Sequence, residues 1–358
     1  VTTPQIPEIR VLVAGGHDTG KTAFLHGMYQ RLSEGVHDYF LYSEDRDEEI
    51  RLVNAWKVLR ETGEFPRVNV RPQSYTFQCT RNFTPLLRMR WTDFRGGAAM
   101  GVAEGEEKKI VEQWRDELSR SDNVYLVMDG KALGDWVRNG MPENANFDSG
   151  GMNLTSYNRV VHTAMASRAD RGVPPPSFVV LITKMDLLPG AADMPLKQAL
   201  ESVVHNLCTL VKSLSGPGVT ALVCPVQIGD FKTSQASGGK VLPSLVHPKY
   251  LHHPICFSLW YHLTEEIAKC EEELAEIKKR ISGGETELTA LRTKSIVMFR
   301  NAKIQEVQTA QQARETERAE KQAEIAATKE QADLLMREFD RWPIIKAGKV
   351  VWRSGRSS

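Results

Sequence analysis

A chain of 358 residues with 41% hydrophobic content is long enough to bury a real core, in one large domain or two ordinary ones. Lysine and arginine number 46 against 45 aspartate and glutamate, so a net charge of +1 supplies no global field that would draw the protein to nucleic acid or to an anionic membrane. The cysteines (Cys79, Cys208, Cys224, Cys256 and Cys270) are scattered and odd in number, no Cys-x-x-Cys pair occurs, and no apolar run approaches the roughly 18 to 20 residues of a spanning helix; buried thiols and a cytoplasmic location are expected.

Over residues 9–213, short apolar runs alternate with helical patterns, as in a parallel sheet with crossover helices. Residues 10–14 read as a first strand and 21–32 as the helix after it. Between them Gly15-Gly16-His17-Asp18-Thr19-Gly20-Lys21-Thr22 fits G-x-x-x-x-G-K-[ST]. Such a loop turns successive backbone N–H groups toward phosphates, reinforced by the helix N-terminus behind it. Lys21 then bridges the terminal phosphates and the Thr22 hydroxyl ligates Mg2+.

Residues 45–62 read as an inserted amphipathic helix with Ile50, Val53, Trp56 and Leu59 at helical spacing. Tyr75, Phe77 and Cys79, then Leu87, Met89 and Trp91, alternate with polar residues about a turn near Arg81-Asn82, which predicts an antiparallel pair at a sheet edge. The second of these strands runs into Asp93-Phe94-Arg95-Gly96, a D-x-x-G sequence. There the carboxylate holds Mg2+ through water and the Gly96 N–H senses the terminal phosphate; the glycines that follow permit reordering when that phosphate leaves. Residues 124–128 and 178–182 are continuous apolar runs and read as buried central strands, and 139–151 read as a loop.

The second central run ends in Thr183-Lys184-Met185-Asp186, which fits [NT]-K-x-D. A carboxylate at Asp186 accepts from both N1–H and the N2 amine of guanine, whereas adenine leaves the charge unpaired. Lys184 can lay its aliphatic stem along the base.

Beyond residue 262 the composition shifts. Leu263, Ile267, Cys270, Leu274, Ile277 and Ile281 step by four and three, a heptad seam with Glu and Lys between. Ser282-Gly283-Gly284 interrupts it, and a second Glu/Ala/Gln/Lys-rich helix follows, so a hairpin turning near 282–285 is expected, with one continuous helix as the alternative. A seam this apolar requires a covering surface, whether another chain, a second copy or the nucleotide domain. The tail carries Arg341, Lys346, Lys349, Arg353 and Arg356 and no acid, interleaved with apolar residues. That pattern suits peripheral contact with a membrane surface or a partner, and equally a strand or loop folded onto the arm.

The three motifs, in this order on these elements, resemble the Ras-like P-loop GTPases of the translation-factor-related class, over about residues 8–270. The inserted helix before Gly63-Glu64-Phe65-Pro66, the Asp-Phe-Arg-Gly-Gly form of the second motif and the helical appendage are similar, more loosely, to a bacterial double-GTPase family. The resemblance implies an α/β fold of mostly parallel strands with helices on both faces over residues 1–262, a coiled-coil arm over 263–341 and a basic, apolar tail over 342–358. It implies GTP and GDP as ligands with Mg2+, hydrolysis to GDP, and a protein partner or self-association through the arm. Gly15, Asp18, Thr19, Gly20, Lys21 and Thr22 carry over as phosphate contacts, Thr22 and Asp93 as the metal site, Lys21, Asp93 and Gly96 as the catalytic set, and Thr183, Lys184 and Asp186 as the base site. Gln227 stands where a base-backing loop belongs, although the usual Ser-Ala is absent. Asp18 falls where some members hold a monovalent cation such as K+, and Arg95 can supply positive charge in cis. Gly97 occupies the position of the usual water-orienting glutamine, so intrinsic hydrolysis is expected to be slow; a nucleotide-holding scaffold without turnover and a P-loop ATPase are the rival readings. No hydroxyl lies in 68–72 to serve as the switch threonine, which leaves Ser74 and Thr76 as the nearest candidates for a metal-binding hydroxyl.

Overall fold

The structure is a computed structural model that describes residues 6–66, 72–94, 106–139, 154–188, 194–231, 240–293 and 300–352. Its contacts divide the chain into two units, one made of Val1–Ile255 with Phe339–Ser358 and the other of Cys256–Glu338. The expected boundaries were different, because the tail now belongs with the first unit.

The first unit is built on a nine-stranded sheet. In chain order its elements are β1 (Glu8–Gly15), α1 (Lys21–Ser33), β2 (Tyr39–Ser43), α2 (Arg46–Thr62), β3 (Gln73–Arg81), β4 (Thr84–Asp93), α3 (Glu106–Arg120), β5 (Asn123–Asp129), α4 (Gly130–Asn139), α5 (Leu154–Asp170), β6 (Ser177–Thr183), α6 (Leu196–Leu210), β7 (Thr220–Pro225), β8 (Ile344–Lys346) and β9 (Lys349–Val351). Strand order is β2-β3-β4-β1-β5-β6-β7-β8-β9, with β4, β1, β5, β6 and β7 mutually parallel and the outer pairs antiparallel. Every residue of β5, β6 and β7 is buried, which is why those strands read as continuous apolar runs rather than alternating ones. The β3–β4 pair is not at the edge: β2 pairs outside β3, and its five residues are too short a signal to stand out in the sequence.

Helix α2 begins where Asp45 accepts hydrogen bonds from the N–H groups of Asp47 and Glu48, at 2.8 and 3.2 Å, with three acids in its first turn. Its buried face is Leu52, Trp56 and Leu59, while Ile50 and Val53 of the expected stripe are exposed. The helix is thus rotated from the phase expected of it, because Trp56 and Leu59 pair with Leu52 rather than with Val53. The buried His26 on α1 meets Leu52 from α2: its Nδ1–H donates to the Leu52 carbonyl at 3.2 Å. The tail continues the sheet, β8 pairing with β7 and β9 with β8, and the Trp342 indole N–H donates to His253 Nδ1 at 2.8 Å. The 139–151 loop reading falls almost wholly outside the described residues.

The second unit consists of two long helices, α7 (His253–Thr293, rooted in the first unit) and α8 (Arg300–Phe339, ending there). They run antiparallel, as shown by Glu271 with Lys329 at 2.7 Å, Glu273 with Lys321 at 2.9 Å, and the Gln311 side-chain amide donating to the Ile281 carbonyl at 3.3 Å. Ile267 and Leu274 from the heptad seam are buried with Ile325 and Ala332 of α8, so the seam is covered by the same chain. Contrary to the turn expected near 282–285, α7 runs through Ser282-Gly283-Gly284 without a break. The two glycines differ: a Cβ on Gly283 would meet open space, whereas one on Gly284 would fall 2.4 Å from the Gln311 side chain. Gly284 is there because α8 approaches closely; packing outweighs its helix penalty.

Two measurements follow. Gly283→Ala is expected to raise the stability of the helical unit by about 1 kcal/mol in urea denaturation, with Gly284→Ala gaining less because Gln311 must move off Ile281; equal gains would contradict the close approach. Burial lowers the His26 pKa, opposed by its hydrogen bond to Leu52. The contribution of neutral His26 is therefore complete above the ordinary imidazole pKa of about 6.5 and is lost as pH falls below it. His26→Gln should flatten the decline of stability between about pH 6.5 and 5 relative to the parent chain.

Candidate functional site

Strand order reverses at β1: the chain passes from β1 out to β2, β3 and β4 on one side, then crosses to β5, β6 and β7 on the other. In open sheets of this kind a crevice forms outside the carboxyl ends of the strands at that switch point. A cavity of about 500 Å³ lies there, within the range of small-molecule sites. Its walls come from the glycine loop and start of α1 (residues 17–24), from Asp93 at the end of β4, from Thr183, Lys184, Asp186 and Leu187 after β6, and from Val226, Gln227 and Ile228 after β7.

The three motifs are stitched together. The buried Thr183 hydroxyl donates to the Thr19 carbonyl at 2.6 Å, and Thr19 Oγ1 donates to the Gly16 carbonyl at 3.1 Å. The Lys184 ammonium donates to the Asp18 carbonyl at 3.0 Å and pairs with Asp129, at the carboxyl end of β5, at 2.5 Å. Asp18 and Lys184 have left-handed backbones, at φ 56° and 51°, a strain that non-glycine residues retain where the surrounding contacts over-determine it. The Lys21 ammonium turns back onto the loop, donating to Gly15 O at 3.1 Å and to Gly16 O. Asp186 is buried and accepts from the Phe231 N–H at 2.9 Å, and the Met185 N–H bonds the Val226 carbonyl, which ties this loop to the one after β7.

Charge is concentrated at the other end. Burial lowers the Lys21 pKa, against the opposing pull of Asp93 and Asp18, and burial pushes the Asp93 carboxyl up to about 6, against the pull of Lys21. Asp93 is only 4% exposed, and its Oδ1 has no hydrogen-bond partner among the described residues. An orphaned, buried carboxylate oxygen facing a pocket that also contains the Thr22 hydroxyl fits a hydrated divalent cation, a hard ion that takes oxygen ligands and retains several waters.

Of the residues expected at the site, Asp18, Thr19, Gly20, Lys21, Thr22, Asp93, Thr183, Lys184, Asp186 and Gln227 line the one pocket, with Gly15 beneath it as an acceptor for Lys21. Ser74 does not: it is exposed on β3, 3.3 Å from the Thr92 hydroxyl, with which it shares a hydrogen bond. Thr76 is also on β3, away from the pocket lining. Arg95, Gly96 and Gly97 lie outside the described residues. Sequence reasoning missed Asp129, although an acid ending an apolar strand beside the other motifs is a usable signal. It also gave no pocket role to Phe65 and Pro66, or to Phe231 and Val241, which line the pocket.

No protein-family model matches the chain, and no curated protein matches it. Among solved structures it is similar to translation elongation factor SelB from Methanococcus maripaludis, in complex with the GTP analogue GppNHp, at 12% identity over 63% of this chain and 31% of that one, with a TM-score of 0.30. It is similar to Sup35 complexed with GDP at 15% identity over 70% of this chain and 44% of that one, with a TM-score of 0.28. A third likeness is to the signal recognition particle receptor SRb-GTP/SRX complex from Chaetomium thermophilum, at 17% identity over 57% of this chain and 80% of that one, with a TM-score of 0.29. The chain thus spans less than half of the SelB and Sup35 chains. At these scores the likenesses carry no argument. Among the described residues no helix is long and apolar enough to cross a membrane.

Thr183→Val retains the shape of the side chain and removes the donor to Thr19. It is expected to cost about 1 to 2 kcal/mol in urea denaturation, since the buried Thr19 carbonyl loses its partner; no loss would mean that the two loops are held by other contacts.

Proposed function

We propose that this chain is a guanine-nucleotide switch that hydrolyses GTP to GDP slowly and signals to a protein partner. The observation that supports it most is the convergence of the glycine loop, Asp93 and the Thr183–Asp186 segment on one cavity, each at the carboxyl end of a different parallel strand. A phosphate-binding loop alone would suit ATP as well. The buried Asp186 carboxylate at the far end favours guanine, because N1–H and the N2 amine both donate to it.

In this reading backbone N–H groups of residues 17–22 bind the phosphates, and the Lys21 ammonium leaves the Gly15 and Gly16 carbonyls to bridge the terminal pair. Mg2+ would be held by Thr22 and, through water, by Asp93; when bound it neutralises charge that develops on the phosphate oxygens. In hydrolysis a water oxygen bonds to the terminal phosphorus while the bond to the bridging oxygen breaks, leaving GDP and inorganic phosphate, the water protons passing to solvent and phosphate. Gly97 contributes no side chain to orient that water, so turnover is slow until a partner, K+ near Asp18, or Arg95 supplies the missing charge. That same glycine favours a second reading, a scaffold that holds guanine nucleotide without useful turnover. In either case the long helices of the second unit act as a coiled-coil arm that presents a surface to another protein or to a second copy.

Asp186→Asn should weaken GDP binding by about 100-fold or more while improving xanthosine diphosphate, whose exchanged group accepts from the new amide. Titrating both nucleotides against both proteins decides it, and equal losses would sink the base assignment. Lys21→Ala should abolish nucleotide retention. Fast turnover by the wild-type chain without K+ or partner would show that another residue positions the water.

A further inference from the structure

The end of the cavity beyond Asp186 is closed by two segments that the motifs do not account for. One is Gly63-Glu64-Phe65-Pro66, directly after the inserted helix α2, which contributes Phe65 and Pro66; the other is the chain after β7, which contributes Ile228, Phe231 and Val241. We infer that these segments form a clasp over the base, in which Phe65 and Phe231 hold a planar purine ring, so that the inserted helix controls release of the nucleotide. This rests on the guanine-nucleotide reading above and specifies how that site is regulated.

The clasp is a backbone junction. The Val241 N–H donates to the Gly63 carbonyl at 3.0 Å, and Glu64 and Lys240 face each other as an antiparallel bridge, their side chains paired at 2.5 Å. That ion pair is exposed and adds little by itself. The close approach is what commits the position: Gly63 has φ +74°, and a Cβ on it would sit 1.7 Å from the Val241 carbonyl oxygen. Only glycine ends α2 with this turn and lets the two segments touch.

The junction places the two rings. Phe65 and Phe231 meet edge to face, centroids 5.8 Å apart and planes at 81°, and both line the cavity. Phe65 is 38% exposed, an apolar ring at a pocket mouth with area still to bury when a flat, π-faced ligand arrives. Phe231 has a second role, since its N–H is the donor to Asp186 Oδ2. The residue that walls the ring therefore also orients the carboxylate that reads its edge. Displacing α2 would lift Phe65 from the ring directly and loosen Asp186 through the contact of Phe65 with Phe231, so the insertion is a handle on nucleotide exchange.

The test is the dissociation rate of N-methylanthraniloyl-GDP from the full chain in Mg2+, chased with excess GDP in a stopped-flow instrument. Phe65→Ala and Phe231→Ala should each speed release by about tenfold, and the double variant by less than the product, because the two rings share one contact. Gly63→Ala, which touches no base, should speed release as well by parting the junction. Phe65→Leu, which retains apolar volume without a ring face, should fall between Phe65→Ala and wild type and guards against a folding artefact. Wild-type release rates in both Phe65→Ala and Gly63→Ala would overturn the clasp. A wild-type chain that binds no guanine nucleotide at all would instead overturn the functional reading, and the clasp with it.

Discussion

Two side chains on one loop, Thr183 and Lys184, set the distance between the two ends of the pocket. Thr183 bonds the Thr19 carbonyl of the glycine loop, while Lys184 spans from the Asp18 carbonyl to Asp129 at the end of β5. Three strand ends are thereby pinned together across the switch point of the sheet. A ligand with phosphates at one end and a flat base at the other needs both ends held at once, since binding energy spent on ordering loops is lost to affinity. The left-handed backbones at Asp18 and Lys184 are the local cost of that stitching.

The buried centre of the first unit is the parallel core. β5, β6 and β7 are buried throughout, and they carry Asp129, Thr183 and the Val226 turn at their carboxyl ends. The elaborations are attached to the two margins. On one side β2 and α2 intervene between α1 and β3; on the other, the last strands add to β7 after the chain has passed through the helical unit. α2 lies at one of these margins, and the residues that follow it reach the pocket through Phe65 and Pro66.

Much of this was legible in the sequence, for identifiable reasons. Strands β1, β4 and β6 run into loops with side-chain-specific chemistry, so both the strands and the pocket residues Lys21, Thr22, Asp93, Thr183, Lys184 and Asp186 could be read together. Ser74 was misplaced because it was chosen as the nearest hydroxyl in sequence, whereas strand pairing puts it beside Thr92 and outside the cavity. The turn expected at Gly283-Gly284 failed because glycine signals close packing as well as a break: here Gly284 makes room for Gln311. The meeting of Phe65 with Phe231 lay beyond any sequence argument. They are far apart in the chain, neither belongs to a periodic pattern, and only the junction of Gly63 with Val241 brings them together.

The central claim is that the cavity selects a guanine nucleotide through Asp186 and binds its phosphates through the glycine loop. Isothermal titration of nucleotide-stripped protein with GDP and with ADP, in Mg2+, tests it most directly. The account predicts one GDP site per chain with ADP weaker by about 100-fold or more, since adenine supplies neither of the two donors that guanine offers to the buried Asp186 carboxylate. Equal affinities for the two, or tighter binding of ADP, would contradict it.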